Sequence, residues 1–481
     1  MHEDRDRAPL PRHPAWWRAI LACLALSPAC VAPAAAQASS LSPAQQSLLQ
    51  VYRELVEINT TASTGNTTLA AEAMAARLRA AGVPDSDVAV LGAAPRRGNL
   101  VARLRGTGKR EPLLLLAHLD VVEAQRDDWS VDPFVLTERD GYFYGRGTTD
   151  DKAMAAIWIA TLVRFKQEGF MPDRDIIVAL TDGEEGDPPN GVTWLLANHR
   201  ELIDAAFALN EGGGGHLQHG KRVLNAVQAG EKLYLNFRLE ATDSGGHSSL
   251  PRRDNPIYRL AAALERLARF EFPVELNEVT RTYFLRMSAI DTGQASADMR
   301  AIASVPPPPD AAARLSRTPY YNAQMRTTCV ATRLDAGHAD NALPQRARAL
   351  INCRILPGQS AVAVEHTLRR VVADSQITLV PLDSARSSPP SPLGPEIMRP
   401  IEVTTAAMWP GTPVVPVMAT GATDGLFLRG GGIPTYGVSG IFEDIDDDRA
   451  HGRDERIGVR EFYEGQAFLY QLVKALASPG Y

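Results

Sequence analysis

Apolar residues along this chain follow two rhythms. Between about residue 40 and residue 229, unbroken apolar runs such as PLLLLA, IIVAL and AAFAL alternate with stretches in which apolar positions recur every three or four residues. The unbroken runs fit strands buried on both faces of a sheet. The recurring pattern fits helices over Pro43 to Ile58, Thr68 to Ala81 and Ala153 to Phe165. This alternation predicts an α/β fold with a largely parallel sheet. From Glu231 the rhythm changes. KLYLNFRLEATD alternates as a half-exposed strand does, NPIYRLAAALERLARF is helical, RTTCVATRL and ARALINCRIL read as a strand pair, and AVAVEHTLRRVVAD and ITLVPL add a helix and a last strand. That order predicts a small α+β lid inserted into the α/β domain. Between its first helix and the strand pair, the stretch containing Val305 and PPPPD reads as an irregular insertion with a stiff proline spacer. The predicted boundaries are 39–229 and 384–481 for the two parts of the α/β domain and 230–383 for the lid.

Several apolar runs end in chemistry. EPLLLLAHLD delivers His118 at a strand's end, with Asp120 two residues on, placed to accept the second ring N–H of His118. GYFYGRGTTDDK sets two acids before a helix. Asp151 reads as a cap or as a site residue, whereas Asp150, nearer the glycine turn, has two free oxygens with which to bridge two cations. IIVALTDGEEG places Glu184 beside Glu185, which suits one ligand and one general base, because a nearby cation brings a water's pKa near neutrality. AAFALNEGGGGH brings Glu211 to a third strand end, followed by glycines that allow close backbone approach to a ligand. His451, in AHGRDE, precedes a long amphipathic C-terminal helix. Histidine and carboxylate donors without cysteine suit zinc, with cobalt or manganese as substitutes.

In these motifs the chain resembles the co-catalytic di-zinc metallopeptidases that include aminoacylases, glutamate carboxypeptidases, dipeptidases and succinyl-diaminopimelate desuccinylase. WSVDPF, GRGTTDDK and HGRDERI look most similar to the carboxypeptidase S-like branch. The resemblance implies a three-layer α/β zinc-peptidase catalytic domain with an α+β sandwich lid. It implies that His118 and Glu211 hold one zinc, that Glu185 and His451 hold the other, that Asp150 bridges them and that Glu184 is the general base. In GGHSSLP, His247 looks like the family histidine that reaches the scissile carbonyl oxygen, in dimeric members from the partner subunit, so a homodimer through the lid is expected. Asn341 and Arg354, thirteen positions apart, look like the pair that contacts the substrate carbonyl and carboxylate. The arginine that holds the terminal carboxylate in glutamate carboxypeptidases has no clear counterpart here. Arg386 and Arg399 are the nearest residues.

The implied reaction is hydrolysis of an amide bond near the free carboxylate of a small peptide. The alternatives are N-acyl-amino-acid deacylation and, remotely, a silent binding protein, which would have lost Glu184 or a ligand. No GxSxG elbow supports serine chemistry. At 481 residues, 45% hydrophobic and 22% charged, the chain can fill two domains. A net charge of −6 without a basic stripe argues against nucleic acid as a partner. Arg5, Arg7, Arg12 and Arg18 precede an apolar run from Ala19 to Ala36 that ends in small residues. This is a secretory signal pattern over residues 1–38, interrupted by prolines and too short for a comfortable span, so the mature protein is expected to be periplasmic or secreted without a membrane anchor. Cys30 after LSPA weakly matches a lipoprotein signal. Cys329 and Cys353 would remain after cleavage, either as a disulfide or as two buried thiols.

Overall fold

The computed structural model describes residues 41–186, 189–383 and 386–479. The proposed signal segment lies outside them. Helix Pro43–Glu57 starts where Ser42 and Gln45 exchange hydrogen bonds in a capping box, and it buries Leu48, Val51, Tyr52 and Leu55. Thr67–Ala80 and Lys152–Glu168 follow as helices, within a residue or a few of the predicted spans.

These helices serve a ten-stranded sheet. Its centre is parallel: Arg174–Thr181, Arg110–His118, Phe207–Asn210 and Thr435–Gly437 run side by side in that order. Towards one edge Arg97–Leu104 and Val88–Ala94 are antiparallel. Towards the other, Lys221–Glu231 pairs antiparallel with Thr435–Gly437 and with Gly215–Gln218. The sheet is therefore mixed rather than largely parallel. Hairpins such as Gly215–Gln218 with Lys221–Glu231 are too short for a crossover and must reverse direction. Leu114, Leu116, Ile177, Ala179 and Ala208 pack on Val192 and Leu195 of helix Gly191–Asn198 and on Leu428. On helix Lys152–Glu168, Trp158 donates to Leu116 O at 2.9 Å. Parallel strands in such a sheet present ligand sites at their carboxyl ends, and His118, Thr181 and Asn210 all stand there.

A second, antiparallel sheet runs in the order Thr328–Ala336, Arg346–Ile355, Leu233–Thr242, Ile377–Pro381. Phe237, Leu239 and Ile351 form its core with Leu260 and Leu368 of helices Pro256–Arg269 and Ala361–Val372. The elements match the expected strand, helix, two strands, helix, strand. Cys329 and Cys353 face each other across the first two strands, with Cα atoms 4.1 Å apart, and are disulfide-bonded.

The stretch expected to be irregular is helical. Glu278–Ile290, Gly293–Ile302, Pro309–Leu315 and Pro319–Met325 are helices, the last two opening on prolines at the first turn. Their residues Phe284, Met299, Leu315 and Met325 pack on Leu224, Ala226 and Val415 of the large sheet. The two seven-residue helices carry a weak periodic signal, and packing on the sheet stabilises all four. Among the described residues no helix is long and apolar enough to cross a membrane.

Candidate metal centre

Asp150 divides its carboxylate between two histidines. Oδ1 is 2.9 Å from His118 Nε2, and Oδ2 is 3.0 Å from His451 Nε2. Glu211 Oε2 joins the first histidine at 3.8 Å and Glu185 Oε2 joins the second at 3.1 Å. The five residues that the sequence singled out as ligands thus meet in one place. Donor atoms of His118, Asp150 and Glu185 lie within 4.8 Å of one another, as do those of His118, Asp151 and Glu211. Asp151 stands at the cap position of helix Lys152–Glu168 but makes no capping hydrogen bond. It is buried, and its Oδ2 has no hydrogen-bond partner. Its side chain belongs to the cluster rather than to the helix end.

The surrounding backbone fixes these donors. His118 Nδ1 is 2.9 Å from the backbone carbonyl of Asp120, which directs Nε2 towards Asp150 and Glu211. The expected partner, the Asp120 carboxylate, stands farther from Nδ1, at 3.8 Å. It instead accepts the backbone N–H groups of Glu184 at 3.3 Å and Glu185 at 3.0 Å. The strand end turns the side chain across to the neighbouring strand's loop, where two half-buried N–H groups take it as acceptor. A buried ion pair, Arg146 with Glu455 at 2.6 Å, ties the two remaining loops together. Arg146 donates to Gly452 O at 2.9 Å. Glu455 accepts the N–H groups of Gly147, Thr149 and Asp150 at 3.0, 2.8 and 3.2 Å. Asp150 and His451 are positioned by one shared pair. The glycines after Glu211 line the cavity beside the cluster, and at Gly213 the packing itself requires glycine, since a Cβ there would stand 2.1 Å from Gly437 O.

Burial, opposed by His118, and the neighbouring Glu211 raise Glu184 to about 9, while burial and Asp150 raise Glu185 to about 7. Burial likewise pushes Glu211 and Asp151 well up. Hydrogen bonding to Asp150 raises His451 to about 9, and Glu211 and Asp150 raise His118 against the opposing effect of burial. Among the described residues, Asp150, Glu185 and Glu211 pair with histidines rather than with Lys or Arg. So many clustered carboxylates, buried or half-buried, with so little positive charge, and one buried oxygen wholly without a partner, fit a site for divalent cations. Nitrogen and oxygen donors without sulfur accord with zinc. A cavity of about 470 Å³ opens on Asp150, Asp151 and Glu211 and gives a substrate room beside the cluster.

Other singled-out residues lie elsewhere. His247 is exposed in a short strand pairing with Ala342, and its Nδ1 is 2.7 Å from Ser249 Oγ. Asn341 is its neighbour, its carbonyl accepting Ser248 N–H at 3.0 Å. Arg354 lies towards the opposite end of strand Arg346–Ile355, opposite Tyr234, whose ring it covers at 4.8 Å, and it donates to Thr420 O at 3.4 Å. One chain does not bring Asn341 and Arg354 together. Arg386 stands over the Phe427 ring at 4.8 Å.

Four structural partners escaped the sequence reading. Arg146 and Glu455 sat unremarked inside GRGTTDDK and HGRDERI. Asn190 holds the cap position before helix Gly191–Asn198, and Asp424 follows the apolar run VVPVMA, the pattern that marked the other acids.

The sequence profile of Peptidase family M20/M25/M40 matches residues 114–475. The chain is 30% identical over 378 residues to the N-fatty-acyl-amino acid synthase/hydrolase PM20D1 of Homo sapiens, covering 76% of this chain and 74% of that protein. It is 29% identical over 378 residues to the probable carboxypeptidase S-like 2 of Dictyostelium discoideum, covering 76% and 71%. Among solved structures it superposes on an M20 family metallo-carboxypeptidase from Sulfolobus solfataricus with a TM-score of 0.64. At 17% identity, over 89% of this chain and 99% of that one, this is a likeness of fold.

Proposed function

Since the chain belongs to Peptidase family M20/M25/M40 and is a metal-dependent hydrolase of peptide or amide bonds, we propose that it cleaves an amide bond next to a free carboxylate in small peptides, with two zinc ions held by His118, Asp150, Glu185, Glu211 and His451. The division of Asp150's two oxygens between His118 and His451 carries this reading, because it forms two adjoining donor sets with one shared carboxylate. When bound, the cations polarise the scissile carbonyl and lower the pKa of the attacking water.

The chain's own residues do the rest. Glu184 takes a proton from the attacking water and hands it to the leaving amine nitrogen, a role open to a carboxylate that stands beside the donor cluster without being one of the five proposed ligands. Asp120 holds the Glu184 backbone in place. Arg354 offers a planar donor pair to the substrate carboxylate. His247 and Asn341, adjacent at the two-stranded ladder of Gly246–His247 with Ala342–Leu343, would act together from the partner subunit of a homodimer formed through a lid of residues 230–383. The signal pattern at the N-terminus supports export to the periplasm or beyond.

A second reading is favoured by the name of the human relative: deacylation of N-acyl amino acids, in which the same bond type adjoins the same carboxylate. Assaying the purified chain with dipeptides, carboxyl-blocked dipeptides and N-acyl amino acids, before and after chelation, separates the two. Cleavage of free but not blocked dipeptides, lost on chelation and restored by zinc, is expected. Cleavage of N-acyl amino acids alone would favour the second reading. Hydrolysis of neither would leave a silent fold.

A further inference from the structure

We propose that Asp424 is a positioning residue of this reaction, holding through Asn190 and Thr181 the segment that presents Glu184 and Glu185. The proposal rests on the reading of Glu184 as general base. Asp424 is buried, 2% exposed, and comes from the loop after strand Val414–Ala419. Its Oδ1 accepts from Asn190 Nδ2 at 2.5 Å, and its Oδ2 accepts from Thr181 Oγ1 at 3.1 Å. Asn190 Nδ2 also donates to Gly183 O at 3.1 Å, and Gly191 N–H donates to Asp182 O at 2.6 Å. One carboxylate therefore grips the chain just before Glu184 and the residue to which Gly183 is tied.

Helix capping does not account for this arrangement. Asn190 caps its helix with the other end of its amide, Oδ1 accepting Thr193 N–H at 2.9 Å, so the contact with Asp424 is additional. The loop of Asp424 is itself anchored. Thr423 N–H donates to Glu231 Oε2 at 2.5 Å, and the buried Glu231 pairs with Arg429. Burying a carboxylate against neutral donors alone is unfavourable. Here it supplies two acceptor oxygens to donors from both sides of one segment, while Asp120 accepts the Glu184 and Glu185 N–H groups from the other direction.

The test compares Asp424→Ala with Asp424→Asn. The asparagine keeps one oxygen for Asn190 and turns its amide towards the Thr181 hydroxyl, which can accept. Alanine should lower kcat about a hundredfold, the effect of a displacement of roughly 1 Å, with KM and metal content near those of the unaltered chain. Asparagine should recover most of that turnover. In metal-free protein, amide hydrogen exchange over 182–186 should accelerate in the alanine variant and not in the asparagine variant. Should Asp424→Ala fail to fold, Asn190→Ser retains a capping oxygen, loses the amide donor and should show the same fall in kcat.

An asparagine variant as slow as the alanine, unchanged turnover in the alanine, or a fall in metal content matching the fall in kcat would overturn the proposal. If the unaltered chain hydrolyses no amide, or Glu184→Gln remains active, the reading of the base has failed instead. Hydrogen exchange then decides the positioning role alone: faster exchange in the alanine variant supports it and unchanged exchange refutes it.

Discussion

Asp120 holds Glu185 by its backbone: Asp120 Oδ2 accepts the Glu185 N–H at 3.0 Å, and Oδ1 takes that of Glu184 at 3.3 Å. A carboxylate two residues beyond His118 thereby sets the place of two acids from the neighbouring strand's loop. Asp120→Ala would leave both N–H groups without this acceptor. It should destabilise the protein by about 1–3 kcal/mol and lower turnover about a hundredfold. Urea denaturation and steady-state kinetics check the two figures, and a variant with unchanged turnover would remove Asp120 from the account.

The Arg146–Glu455 pair makes a different prediction, because both loops that supply Asp150 and His451 hang on it. Removing one partner of a buried pair costs about 3–5 kcal/mol. Arg146→Ala should show that loss in the metal-free protein and should weaken zinc binding, read by titration calorimetry. Unchanged zinc affinity would mean that the loops hold their shape without it.

Protonation gives a third. Glu184, raised to about 9, and Glu185, raised to about 7, bind more protons folded than unfolded at any pH between about 4.5 and those values. Stability of the metal-free protein therefore falls as pH rises through that window. His451, raised to about 9, acts in the same direction, its contribution being complete below about 6.5 and lost as pH rises through 9. Cations held at these residues would take the protons' place. The gain in Tm on adding zinc should widen from pH 5 to pH 8, and thermal scans showing a gain independent of pH would contradict the assignment.

The cystine gives a fourth. Cys329 and Cys353 are 24 positions apart, and closing a loop of that length in the unfolded chain stabilises the folded one by about 3 kcal/mol. Urea denaturation of the Cys329→Ala, Cys353→Ala double variant should show a loss of that order.

Where a residue's role depends on its own strand end, the sequence was legible: His118, Glu185 and Glu211 follow apolar runs, and the structure draws them together with Asp150 and His451. The helix–strand order of the second sheet could be read for the same reason, since periodicity is local. Partnerships across the chain could not. Nothing near Asp120 says that its carboxylate faces the Glu184 backbone rather than the His118 ring, and Asp424 is joined to Asn190 only by folding. The helices between 278 and 325 were missed because the last two are only seven residues long and all of them owe their burial to packing on the large sheet. Periodicity likewise marks a strand as buried without giving its direction, which is why a mixed sheet was read as mostly parallel.

The central claim is that Glu184 moves the proton while Glu185 holds a cation, and metal content measured beside turnover tests it most directly. Glu184→Gln keeps the side chain's size but cannot take a proton, so it should retain full zinc by elemental analysis while turnover falls by about two to four orders of magnitude. Glu185→Gln should lose one zinc per chain and recover part of its turnover when zinc is supplied in excess. Activity retained in Glu184→Gln, or zinc lost there and kept in Glu185→Gln, would contradict the account.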